Sequence, residues 1–106
     1  MTVLAIDPGF GRCGVAVLEG SGSKAALSYS SCIKTEAKTV FSERLLFVAN
    51  EVTRLIETYK PETIAIEELY FTNNAKTVLH VAEVRGMLMY LAASQNIPLV
   101  EFNPLS

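Results

Sequence analysis

Val3-Leu4-Ala5-Ile6-Asp7-Pro8-Gly9-Phe10-Gly11-Arg12-Cys13-Gly14-Val15-Ala16-Val17-Leu18 is the stretch on which the fold turns. Residues 3–6 form a continuous apolar run closed by Asp7, Pro8 and Gly9, which reads as a strand buried on both faces and ended by a turn. Residues 14–18 form a second apolar run. The link between them is so short that only an antiparallel return fits, so the two runs make a hairpin. Gly9, Gly11 and Gly14 satisfy the spacing G-x-G-x-x-G, but a dinucleotide site needs those glycines to open a helix whose N-terminus holds the pyrophosphate. The run after Gly14 is short and strand-like, so nicotinamide and flavin binding are excluded. The glycines read instead as a tight turn that keeps bulk away from Asp7 and lets a phosphate backbone approach.

Outward from the hairpin, residues 19–24 make a Gly- and Ser-rich turn and residues 25–34 a third strand. From Phe41 the period changes. Phe41, Leu45, Val48, Val52, Leu55, Ile56 and Tyr59 recur at steps of three and four, with Glu43, Arg44, Glu51, Arg54 and Glu57 between them, the pattern of an amphipathic helix with one core face. Pro61 stops it. Residues 63–66 give a further short strand closed by Glu67 and Glu68. A long helix is expected over residues 74–94, with Asn73 or Asn74 as its cap. Val78, Val81, Ala82, Leu88, Leu91 and Ala92 make its core face, and Val84, Met87 and Tyr90 put apolar groups elsewhere around it, which calls for a second partner surface. After a turn at residues 95–98, Leu99–Phe102 is the last strand. The order predicts one α/β domain over residues 1–106, a mixed five-stranded sheet of three antiparallel strands plus parallel ones, with flanking helices.

Of the 106 residues, 50% are hydrophobic and 19% charged, a globular composition that excludes intrinsic disorder. The net charge of -2 argues against coating nucleic acid by charge alone, so any DNA contact must be local. Cys13 and Cys32 lack metal-ligand spacing and read as reduced, buried, small hydrophobes. No secretory signal or membrane span is evident, which points to the cytoplasm.

Asp7 and Glu67 are the candidate chemical residues, because each ends a buried apolar strand. If those strands are parallel neighbours, both carboxylates meet at the end of the sheet where open sheets bind ligands. Two close carboxylates repel, and a hard divalent cation relieves the repulsion through oxygen coordination. His80, the single histidine, lies inside the second helix and reads as a packed or surface residue, so a Ser-His-Asp triad is not expected.

Ala5-Ile6-Asp7-Pro8-Gly9 with Gly14, Ile64-Ala65-Ile66-Glu67-Glu68, Asn74-Ala75, Arg85-Gly86 and Glu101-Phe102-Asn103-Pro104 together resemble the RuvC Holliday junction resolvases, in order and over nearly the whole chain. The resemblance implies a ribonuclease H-like fold, a homodimer, Mg2+-dependent cutting of four-way DNA junctions with Mn2+ as a substitute ion, and cooperation with the RuvA and RuvB branch-migration proteins. It implies that Asp7 and Glu67 are two of four catalytic, metal-binding acids, and that Tyr70 stacks on a base near the junction centre. Asn74, Lys76 and Arg85 are the further candidate DNA contacts. The family's other two acids lie in a C-terminal helix beyond Ser106, so the chain is expected to be an N-terminal part, lacking the C-terminal helices, that binds Mg2+ weakly and does not itself cut.

Three alternatives stand beside this reading. Actin-like and sugar-kinase ATPases share the sheet and the phosphate-contacting hairpin but need a second phosphate loop and domain. A non-catalytic ribonuclease H-like module would bind nucleic acid or protein. A YqgF-type nuclease shares the opening motif but matches less well at residues 64–68. For the homodimer, the surface expected from the second helix is Val84, Met87, Leu88 and Leu91.

Overall fold

The computed structural model describes residues 1–9, 11–69 and 75–103. The elements run β1 (Thr2–Pro8), β2 (Arg12–Glu19), a 3-10 turn (Gly22–Lys24), β3 (Ala26–Lys34), α1 (Phe41–Tyr59), β4 (Thr63–Glu67), α2 (Ala75–Ser94) and β5 (Leu99–Phe102). One five-stranded sheet takes the order β3-β2-β1-β4-β5. β1, β2 and β3 pair antiparallel as a meander, while β4 lies parallel to β1 and β5 parallel to β4. This is the mixed α/β sheet of the ribonuclease H-like class.

Local chemistry sets the element ends. Gly9 lies so close to the chain ahead of it that a Cβ there would sit 2.6 Å from the Arg12 carbonyl oxygen, and Gly11 takes φ +85°. Both conditions suit glycine and turn β1 back into β2 without any helix. α1 ends at Lys60, in the left-handed region at φ 48°, whose amide donates to the Ile56 carbonyl, and Pro61 comes next. Asn96, at φ 58°, turns the chain after α2.

A single cluster joins the sheet to both helices. Leu4, Ile6, Val15, Val17, Ile64 and Ile66 share it with Val48, Val52, Leu55 and Ile56 of α1 and Val84, Leu88 and Ala92 of α2. Strand residues alternate between faces, and the register Leu4↔Val17, Ile6↔Val15, Leu4↔Ile64 and Ile6↔Ile66 puts these core residues on one face. The other face carries Val3, Ala5, Leu18, Leu27, Ala65, Val100 and Phe102, half-buried or exposed. β1 is therefore not covered on both sides: among the described residues both helices pack on one face only.

Three further expectations are corrected. Cys32 is exposed, because its pairing with Gly14 turns it to the open face, while Cys13 is buried. Arg44 is buried at 6% exposure although it is charged. In α2, Val84 and Leu88 lie in this chain's own core and Ala82 is exposed, so the outward apolar groups are Leu79 and Tyr90, at 64% and 71% exposure, and not the set around Val84. No helix among the described residues is long and apolar enough to cross a membrane.

Candidate metal centre

β1 and β4 stay in parallel register as far as Ile6↔Ile66. The next residues along, Asp7 and Glu67, point away from the core, because Ile6 and Ile66 point into it. Their side chains lie close enough for a hydrogen bond between them, which two carboxyl groups make only when one holds a proton. The Glu67 carboxyl is pushed up to about 7, first by that hydrogen bond, then by desolvation and by the Asp7 charge. The sequence-derived pair is thus brought together at the C-terminal ends of two parallel strands.

The surroundings of the pair are small or apolar. Asp7 faces Gly14 across β2, where an added Cβ would lie 3.6 Å from the Asp7 Cβ. That is ordinary contact for alanine, but a longer side chain would lie over the carboxylate. Phe102 pairs with Glu67 on the other flank. A shallow hollow on the open face is lined by Ala5, Asp7, Gly14, Ala16 and Phe102. The Cys13 thiol, on the core face, is pushed up to about 12, chiefly by burial and then by the Asp7 charge, so it stays protonated. Among the described residues no group of three or more His, Cys, Asp or Glu side chains could hold an ion.

The remaining candidates separate. Tyr70 and Asn74 lie outside the described residues. Lys76 is exposed in the first turn of α2. Arg85 is turned inward: its side chain is 7% exposed, it donates to the Glu67 main-chain carbonyl, and it pairs with Glu101 at 3.1 Å. Its guanidinium is thus committed to two partners within the fold. His80 is half-buried, stacked on Phe41 at 3.9 Å between ring centroids and 3.1 Å from Glu83, as a packed residue should be.

Arg44 is a contributor that the sequence reading does not single out. Its Nε donates to Thr35 Oγ1 at 3.0 Å, and its guanidinium lies 3.3 Å from where a Gly11 Cβ would stand, under the turn that leads out of Asp7. The Thr35 amide in turn donates to the Gly11 carbonyl at 3.0 Å. The signal is present in the helical spacing, since Arg44 stands four residues before Val48 and three after Phe41, on the core stripe.

Comparison with known proteins places this geometry in a family. The family model described as crossover junction endodeoxyribonuclease RuvC matches residues 3–106. The protein of that name from Brachyspira hyodysenteriae is 40% identical over 98% of this chain and 65% of its own length. The one from Petrotoga mobilis is 40% identical over 98% of this chain and 64% of its own. The chain thus spans a little under two thirds of these relatives. T. thermophilus RuvC in complex with a Holliday junction substrate superposes with a TM-score of 0.91 at 25% identity, covering 99% of this chain and 67% of that one. With the paired carboxylates at the ends of β1 and β4 and a family match over almost its whole length, the chain belongs to the crossover junction endodeoxyribonuclease RuvC family.

Proposed function

We propose that this chain is the portion of a four-way (Holliday) junction endonuclease that contributes Asp7 and Glu67 to a divalent-metal centre. The observation that carries the reading is the carboxylate pair that the β1–β4 register sets side by side where the parallel strands end, in a chain of this family. The donor set fits a hard cation, because the pair offers only oxygen and holds a proton that a Mg2+ ion would displace. Mn2+ fits the same oxygens. Two carboxylates are fewer than a tight site needs, so the 106-residue chain is expected to bind the ion weakly.

In this reading, Asp7 and Glu67 hold the metal, which when bound activates water and stabilises the leaving oxygen of a phosphodiester. Gly14 keeps the space above Asp7 clear for the scissile strand. The turn at Gly9 and Gly11, braced by Arg44 and Thr35, fixes the backbone beside it. Lys76 is placed to meet a phosphate, and Tyr70 and Asn74 belong to the same reading as DNA contacts. The homodimer forms through the outer face of α2 at Leu79, Gly86 and Tyr90, with RuvA and RuvB as further partners and the cytoplasm as the compartment. The family match sets aside the ATPase and YqgF-type alternatives.

The test is cleavage of a synthetic four-way junction by the full gene product with Mg2+. Asp7→Asn and Glu67→Gln should each lower the rate by about 1000-fold or more while junction binding is retained. Junction binding without cleavage, indifferent to Asp7→Asn, would establish the non-catalytic binding module instead.

A further inference from the structure

Arg44 and Arg85 are the two buried charged residues in the described part of the chain, each 6% exposed. A buried guanidinium is costly unless its donors are used, so the partners of Arg85 indicate its purpose. One is the carboxylate of Glu101 on β5, at 3.1 Å. The other is the main-chain carbonyl of Glu67, the last residue of β4.

The reason that this carbonyl needs a donor lies in β1. Ile64 and Glu68 send their amides to Pro98 and Phe102 on the β5 side. Residues 65 and 67 therefore turn their backbone groups toward β1. With the register Ile6↔Ile66, the next rung of the β1–β4 ladder would run from the amide of residue 8 to the Glu67 carbonyl. Residue 8 is proline, which has no N–H. The ladder stops one rung short of the carboxylate pair, and the Glu67 carbonyl is left without its backbone donor.

We infer that Arg85 is a positioning residue for Glu67: it supplies from α2 the hydrogen bond that Pro8 cannot, and through Glu101 it ties the ends of β4 and β5 together behind the carboxylate. The role rests on the metal-centre reading above. A missing rung would otherwise let the end of β4 swing, and an oxygen ligand displaced by even a fraction of an ångström is a poorer one.

The experiment uses the full gene product and reads Mn2+ binding by electron paramagnetic resonance, without substrate. Arg85→Ala should weaken Mn2+ binding by about 10- to 100-fold, the usual effect of removing a partner behind a ligand. Pro8→Ala restores an amide at the missing rung, so the double variant should recover most of that loss, which a merely structural Arg85 would not do. Amide exchange at Glu68 should show the same pattern without metal: protection lost in Arg85→Ala and regained in the double variant. If Arg85→Ala does not fold, Arg85→Lys and Glu101→Gln take its place, each expected to show a smaller loss; wild-type Mn2+ affinity and Glu68 protection in both would overturn the inference. It would equally be overturned by Arg85→Ala with unchanged Mn2+ binding but weaker, less salt-dependent junction binding, the mark of a phosphate contact. Failure of the metal-centre reading looks different: Mn2+ binding is then indifferent to Asp7→Asn, and the exchange measurement alone decides the role of Arg85.

Discussion

A carboxyl group that holds its proton up to about 7 makes the folded chain sensitive to pH in a particular direction. The ordinary value for Glu67 is 4.5, and the folded value is raised, so between these limits the folded state binds more protons than the unfolded one. Stability of the metal-free protein should therefore fall as pH rises from about 4.5 to about 7, the reverse of a salt-bridged carboxylate. Urea midpoints with a chelator present should decline across that window, and Glu67→Gln should remove the decline. A midpoint that rises across it in the wild type would contradict the shared proton. Asp7 and Glu67 are legible in the sequence because strand-ending acids interrupt apolar runs. The roles of Arg44 and Arg85 are not, since a guanidinium on a helix looks alike in sequence whether it faces water or a carbonyl.

The strands and helices are recovered in kind and order, with ends up to two residues off at β1 and β2, because each change of period is marked by glycine, proline or a charged cluster. The buried face of α2 follows the spacing only in part: Leu88 and Ala92 are buried as expected, but Val84 joins them and Ala82 is exposed. Its apolar residues surround the helix, so the spacing carries little phase information, and only the docking of Val84, Leu88 and Ala92 against the sheet fixes the rotation. The same limit applies to β1, where Val3 and Ala5 read as core although no helix covers them. Gly86 gains meaning from the corrected rotation. It stands in α2 with open space where a Cβ would go, on the outer side with Leu79 and Tyr90. A helical glycine costs about 1 kcal/mol relative to alanine. Gly86→Ala should raise the stability of the isolated protomer by about that amount, and, if the proposed dimer forms on this face, Gly86→Leu should fold normally but weaken self-association in sedimentation. Unchanged association in Gly86→Leu would move the dimer contact elsewhere.

At the scale of the whole molecule, the site depends on a pairing that is distant along the chain. β1 and β4 are neighbours in the sheet but are separated along the chain by β2, β3 and α1. Parallel contacts of this kind are late to form, because a long loop must close before any rung rewards it. In stopped-flow refolding, the helical signal should appear ahead of Mn2+ binding, which should arrive with the slowest phase. Mn2+ bound in the first phase would mean that the carboxylates meet by some other route. The β1–β4 register thus acts as a timer on synthesis. While the nascent chain is still emerging from the ribosome, Asp7 is exposed on a finished hairpin, yet its partner has not been made. The acid pair cannot assemble before β4 has left the tunnel and docked, so no shorter nascent chain presents the two carboxylates together.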